Sequence, residues 1–172
     1  MRRAALALLS VLSLCACQRV ADEPPREPIE AEGRVLQFDF GTTDGEELSS
    51  ATTRGRVTVL VFVTTFDLGS QVVAKRLNQV AVRHRPHINA AAVVLEPPNH
   101  APLAQAFRSA LELSYPVALA DLRDLERSSG LGEVRSVPTV LVLNGEGREI
   151  VRKFGVCTAE ELETWVARAQ RP

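Results

Sequence analysis

Cys15, Cys17 and Cys157 are the three thiols of this 172-residue chain, and His84, His87 and His100 are its three imidazoles. Thiols do disulfide chemistry in pairs: one thiolate attacks and a second thiol resolves the mixed product. Imidazoles hold a metal when cysteines or acids complete a set around them. Neither pattern is complete here. His84 and His87 fall at a helix end beside Pro86, and His100 falls in a Pro-rich loop. No cysteine or acid completes a convincing set with them. They read as solvated loop histidines, and neither a metal nor another cofactor is expected.

The cysteines must be placed before they can be read. Met1–Cys17 is MRRAALALLSVLSLCAC. Arg2 and Arg3 form a basic start, and Ala4–Leu14 is an apolar run too short to span a bilayer, the pattern of an export signal. Its end, Leu14-Cys15-Ala16-Cys17, resembles the lipobox of bacterial lipoproteins, in which a Leu and two small residues precede the Cys that carries lipid. The resemblance implies a signal peptide over residues 1–16, lipid attachment at Cys17, and membrane association through that lipid. Gln18, where Asp would be the alternative, implies an outer-membrane anchor facing the periplasm of a bacterial cell envelope. The competing reading is an ordinary secretory signal with chance cysteines. If Cys15 leaves with the signal and Cys17 is capped, Cys157 is the one possible free thiol. A lone thiol closes no internal disulfide, so stability must come from the core.

Without residues 1–16, which hold two arginines and no acid, 18 of the 20 basic residues remain against all 21 acids, a net charge of −3. That balance argues against nucleic acid and against polybasic attachment to a membrane surface. A hydrophobic share of 45% suits one globular domain of this length. It does not define the oligomeric state.

Gln18–Gly33 is acidic and proline-rich with little to bury. Residues 17–33 therefore read as a lipidated N-terminus and disordered linker, with a root-mean-square span of roughly 20–25 Å. The folded domain follows over residues 34–172. Leu36, Phe38 and Phe40 alternate toward one face before the Asp44-Gly45 turn. Val57–Val63 and Ile88–Leu95 are apolar runs that read as strands buried on both faces, and Thr139–Leu143 is a third apolar strand. Gln71–His84 places Val73, Leu77, Val80 and Ala81 on one helical face, and Pro102–Leu113 places Leu103, Phe107, Ala110 and Leu111 on another. Asn144-Gly145 suits a tight turn into an edge strand over Arg148–Phe154. Thr158 and Glu161 form a capping box for a last helix that buries Leu162, Trp165, Val166 and Ala169. A right-handed βαβ unit followed by a late hairpin predicts an α/β fold: a mixed central β-sheet with helices on both faces.

This order resembles the thioredoxin-like superfamily, in its exported TlpA/ResA-like branch, over Val35–Arg168. Gly132–Leu143 (GEVRSVPTVLVL) is similar to the family's Val-Pro-Thr loop and strand, which puts Pro138 at the cis-proline and Val137, Pro138 and Thr139 in the peptide groove. Tyr115–Asp121 is similar to a Tyr-Pro-Val-x-x-Asp segment. Val57–Gln71 is similar to the strand that leads into Trp-Cys-x-x-Cys, but here the chain reads Phe66-Asp67-Leu68-Gly69-Ser70. Asp67 and Ser70 stand where the family has cysteines, and Phe66 where it has Trp. The resemblance thus implies a vestigial active site with no catalytic residue. Asp is a favoured helix cap, which gives Asp67 a structural role. Ser70 has no base beside it in sequence.

Cys157 directly precedes the cap residue Thr158, a position that lowers thiol pKa modestly. It reads as a semi-buried small residue, and the resemblance implies a place away from the cis-proline loop. A copper site like that of the related SCO proteins would need a cysteine pair that is missing. The leading expectation is a membrane-tethered, non-catalytic binding protein that holds an extended segment of an envelope protein. The alternatives are a thiol reductase or peroxidase acting through Cys157, and a structural accessory domain of an envelope complex.

Overall fold

A computed structural model describes residues 29–30, 33–127, 131 and 134–171. The expected signal peptide, Cys17 and nearly all of the expected tether lie outside the described residues. The elements run β1 (Ile29–Glu30), β2 (Asp39–Gly41), β3 (Glu47–Ser49), β4 (Val57–Val63), α1 (Leu68–His84), β5 (Ile88–Val94), α2 (Ala101–Ala110), β6 (Val117–Leu119), α3 (Leu122–Arg127), β7 (Thr139–Leu143), β8 (Glu149–Phe154) and α4 (Ala159–Ala169).

Six strands form one sheet in the order β1-β8-β7-β4-β5-β6, and β2 and β3 form a separate hairpin. β4 pairs parallel with β5, and β5 with β6, whereas β7 pairs antiparallel with both β4 and β8. The sheet is therefore mixed, as the βαβ unit and late hairpin require. All seven residues of β4 are buried, because layers cover both of its faces.

Val57, Val59, Val61 and Val63 point to one layer, where Val73, Leu77 and Val80 of α1, Ala104 and Phe107 of α2, and Leu162 and Val166 of α4 complete the core. Leu60 and Phe62 point to the other, against Leu36, Phe38, Phe40 and Leu48, with Leu125 of α3 packed at the margin. Helices thus lie on both faces, but the second is covered mostly by the segment around β2 and β3. Phe40 meets Phe62 edge-on, with ring centroids 6.4 Å apart.

Some local expectations are corrected. Ile29 and Glu30, inside the stretch read as tether, pair with Arg152 and Val151. β8 is consequently an inner strand, not the edge. The β7–β8 loop closes with Asn144 N–H donating to Arg148 O, and its positive φ falls on Gly147 (76°), not on Gly145. It is a three-residue loop with glycine in the left-handed position, a common hairpin closure. Alternation from Val35 to Phe40 correctly marks the buried face, yet only Asp39–Gly41 pairs as a strand. In α2, Ala104 and Phe107 are buried while Leu103 is half exposed, so the helix is rotated from the expected face.

Candidate functional site at the start of helix α1

The strand ends of β4, β5, β7 and β8 meet at one pole of the sheet, where parallel and antiparallel neighbours adjoin. β4 runs out through Thr64 and Thr65 to Phe66, and α1 begins at once. Asp67 is its N-cap, with extended backbone (φ −89°, ψ 125°). Its Oδ2 accepts the Ser70 N–H at 2.6 Å, satisfying one of the helix's otherwise unpaired donors. Ser70 is fully buried, and its hydroxyl accepts the Thr64 N–H at 3.3 Å. Gln71 Nε2 donates to Thr65 O. Asp67 and Ser70 are therefore both tied into the strand-to-helix turn. Among the described residues no basic side chain is hydrogen-bonded to either of them.

Pro138 packs directly against this turn, and the Val137–Pro138 bond is cis, as the resemblance implies. A second cis bond, Arg85–Pro86, was not legible in the sequence. A Cβ added at Gly69 would stand 3.2 Å from Asp67 Oδ2, from Pro138 Cδ and from Val156 Cγ2. Glycine is what lets the three meet. Gly155 N–H donates to Pro138 O at 2.8 Å, extending the β7–β8 ladder past Thr139 and Phe154. Among the described residues no backbone hydrogen bond reaches the N–H or C=O of Val137. Arg152, paired with Glu149 through Nε at 2.7 Å, also donates to Leu131 O and so ties the approach to this loop to β8.

The surface around the turn is apolar. Phe66 is 81% exposed, Leu68 75%, Val156 49% and Val72 39%. Val72 shares the helical side of Gly69 and Arg76, three and four residues away, and Arg76 Nη1 donates to Cys157 O at 2.7 Å. The apolar strip thus runs from Phe66 along α1 beside Val156. The sequence pointed to Phe66 but missed Leu68, Val72 and Val156. Their signal was present for Leu68 and Val72, which fall off the Val73–Leu77–Val80 stripe; Val156 had none.

Cys157 departs from expectation in its burial: it is only 1% exposed and belongs to the core shared by α1 and α4. Desolvation, with the nearby Glu161 carboxylate, pushes its thiol up to about 12, the opposite of the lowering expected from a helix start. Thr158 and Glu161 do form the expected capping box.

The histidines are not all solvated. His84 Nε2 bonds to Glu163 of α4, and His100 Nδ1 stands 3.0 Å from Glu96 Oε2; His87 is exposed. Among the described residues no three His, Cys, Asp or Glu side chains gather as a metal-binding group. Nor is any helix among them long and apolar enough to cross a membrane.

A mixed sheet whose α1 begins against a cis-proline loop has the thioredoxin-like fold, and the comparisons with solved structures agree. The chain is similar to a thioredoxin-family thiol:disulfide interchange protein from Chlorobium tepidum TLS, with a TM-score of 0.69 and 19% identity over 83% of this chain and 97% of that one. It is similar to a DsbF homologue from Corynebacterium diphtheriae, with a TM-score of 0.70 and 17% identity over 82% and 92%. It is also similar to StoA from Bacillus subtilis, with a TM-score of 0.61 and 23% identity over 80% and 97%. At these identities the likeness is one of fold. No family model matches the chain, and no curated protein matches its sequence.

Proposed function

We propose that this chain is a thioredoxin-like binding protein of the bacterial cell envelope that performs no thiol–disulfide exchange. In this reading Cys17 carries lipid and tethers the domain to a membrane, the outer membrane on its periplasmic side, and the surface around Pro138 holds an extended segment of an envelope protein. One observation carries the reading. Asp67 and Ser70 are bonded into the turn where redox chemistry would need two thiols, while Phe66, Leu68 and Val156 beside them stay exposed. A bound segment would pair its main chain with the open N–H and C=O of Val137, as an added β-strand does, and rest apolar side chains on Phe66.

The alternative of redox work through Cys157 has the thiol's burial against it, since the nucleophile is the exposed thiolate. The experiment joins two assays on the same preparation. In insulin reduction the protein should match the blank. In crosslinking capture from membranes, Phe66→Ser and Val137→Asp should each reduce the partner recovered with wild type. Reduction that disappears with Cys157→Ser would establish the thiol enzyme instead. Equal recovery with both variants would leave the structural accessory role.

A further inference from the structure

The binding surface just described has a buried charge at its back that the proposed function does not use. Glu96 follows β5 and is only 5% exposed. Its Oε1 accepts two hydrogen bonds from one residue of the β4–α1 turn: the Thr65 N–H at 2.6 Å and the Thr65 hydroxyl at 2.7 Å. Its Oε2 meets His100 Nδ1 at 3.0 Å, in the short turn (Pro98–His100) that precedes α2. A carboxylate is costly to bury unless donors surround it, so this arrangement persists because each oxygen is served. Thr65 immediately precedes Phe66, the most exposed apolar side chain of the surface.

We propose that Glu96 is a positioning residue: its charged carboxylate latches the Thr65–Phe66 turn to the His100 turn, and that latch sets how Phe66 is presented to a bound segment. The last clause rests on the surface being a binding site; the latch itself does not. The turn is held from α1 by Ser70 and Gln71, which fix Thr64 N–H and Thr65 O. Glu96 supplies the hold from the β5 side and takes the remaining donors of Thr65. Charged groups near Glu96 come from two directions. His100 faces it from the turn before α2, and Asp121 and Arg123 share with it the wall of a cavity of about 330 Å³ at the start of α3. Asp121 Oδ1 is occupied by the N–H groups of Arg123 and Asp124, so it caps α3.

Desolvation pushes the Glu96 carboxyl up, but the Thr65 N–H, the Thr65 hydroxyl and the His100 ring outweigh it, and the group titrates below the usual carboxylate range. The folded state therefore favours the ionised form. The stabilisation is present above the ordinary carboxylate pKa and is lost as pH falls through the lowered one. The latch opens only in acid.

The test reads Thr65 and Phe66 directly, by NMR of the ¹⁵N-labelled full-length chain in detergent. The Thr65 amide should titrate in acid with a midpoint below the usual carboxylate range, and the Phe66 amide should follow with the same midpoint. Glu96→Gln should abolish both titrations and speed Thr65 amide exchange about tenfold or more, as loss of a charge-assisted hydrogen bond implies. Thr65→Val and His100→Ala each remove one donor and should raise the midpoint, which keeps the test open if Glu96→Gln folds poorly. A Thr65 amide that does not titrate, or a Phe66 amide indifferent to Glu96, overturns the proposal. No partner is needed, so these outcomes are separate from failure of the capture experiment above. If capture succeeds with wild type, Glu96→Gln should lower recovery although residue 66 is not substituted.

Discussion

The Asp67 carboxylate accepts the Ser70 N–H at 2.6 Å, so the two residues are joined as cap and capped donor at the start of α1. The field at a helix start that favours a thiolate also suits a carboxylate cap, so Asp67 needs little adjustment from its surroundings.

Asp67→Ala should cost about 1 kcal/mol, within the range of roughly 0.5–2 kcal/mol typical of a lost N-cap, and Asp67→Asn or Asp67→Ser should recover most of it. Urea unfolding at fixed pH measures this as a shift of the midpoint with an unchanged slope. Equal loss with Ala and Asn would mean that the carboxylate acts beyond its capping bond.

The double change Asp67→Cys with Ser70→Cys should create a redox-active thiol pair at this turn, with the thiol at position 67 titrating below the ordinary value of about 8.5. Insulin reduction by the double variant, against a wild type that matches the blank, checks it. Absence of activity in a folded, reduced double variant would show that the turn no longer tolerates the exchange geometry.

Gly69→Ala should destabilise the domain even though alanine is favoured over glycine in helices by roughly 1 kcal/mol. Its Cβ would meet the cap oxygen, the Pro138 ring and Val156 at 3.2 Å each, the last two from the cis-proline loop and the β8–α4 corner. A gain in thermal stability would mean that the β8–α4 corner gives way easily.

Cys157 should resist thiol reagents in the native protein and react stoichiometrically in denaturant. Its folded-state value lies at about 12, above the unfolded one, so the protonated thiol stabilises the fold fully below the unfolded pKa. That contribution declines as pH rises from about 8.5 toward about 12, where buried Tyr115, likewise raised by desolvation, acts in the same direction. Urea midpoints across this window should fall less in Cys157→Ala than in wild type.

Much of this protein was legible in its sequence because the signals are local. The continuous run Val57–Val63 announced a doubly covered strand, and the spacing of Val73, Leu77 and Val80 announced the buried face of α1. Thr158 and Glu161 announced a cap. Each depends on residues a few positions apart, whose side-chain geometry follows from local backbone period. The turn at Phe66–Ser70 was marked instead by its resemblance to a family segment. What only the tertiary structure decided depends on which distant segments meet. Glu96 carried no signal in the sequence, and it gains a role only because β4 and β5 pair in parallel and bring Thr65 to it. Cys157 reads as a helix-start thiol until the packing of α1 and α4 against the sheet buries it in the core. β8 reads as an edge until Ile29 and Glu30 pair with it. Val156 acquires meaning only through its contact at Gly69. Burial and partnership are properties of the assembled sheet: sequence period assigns a residue to a face, and long-range pairing determines what covers it.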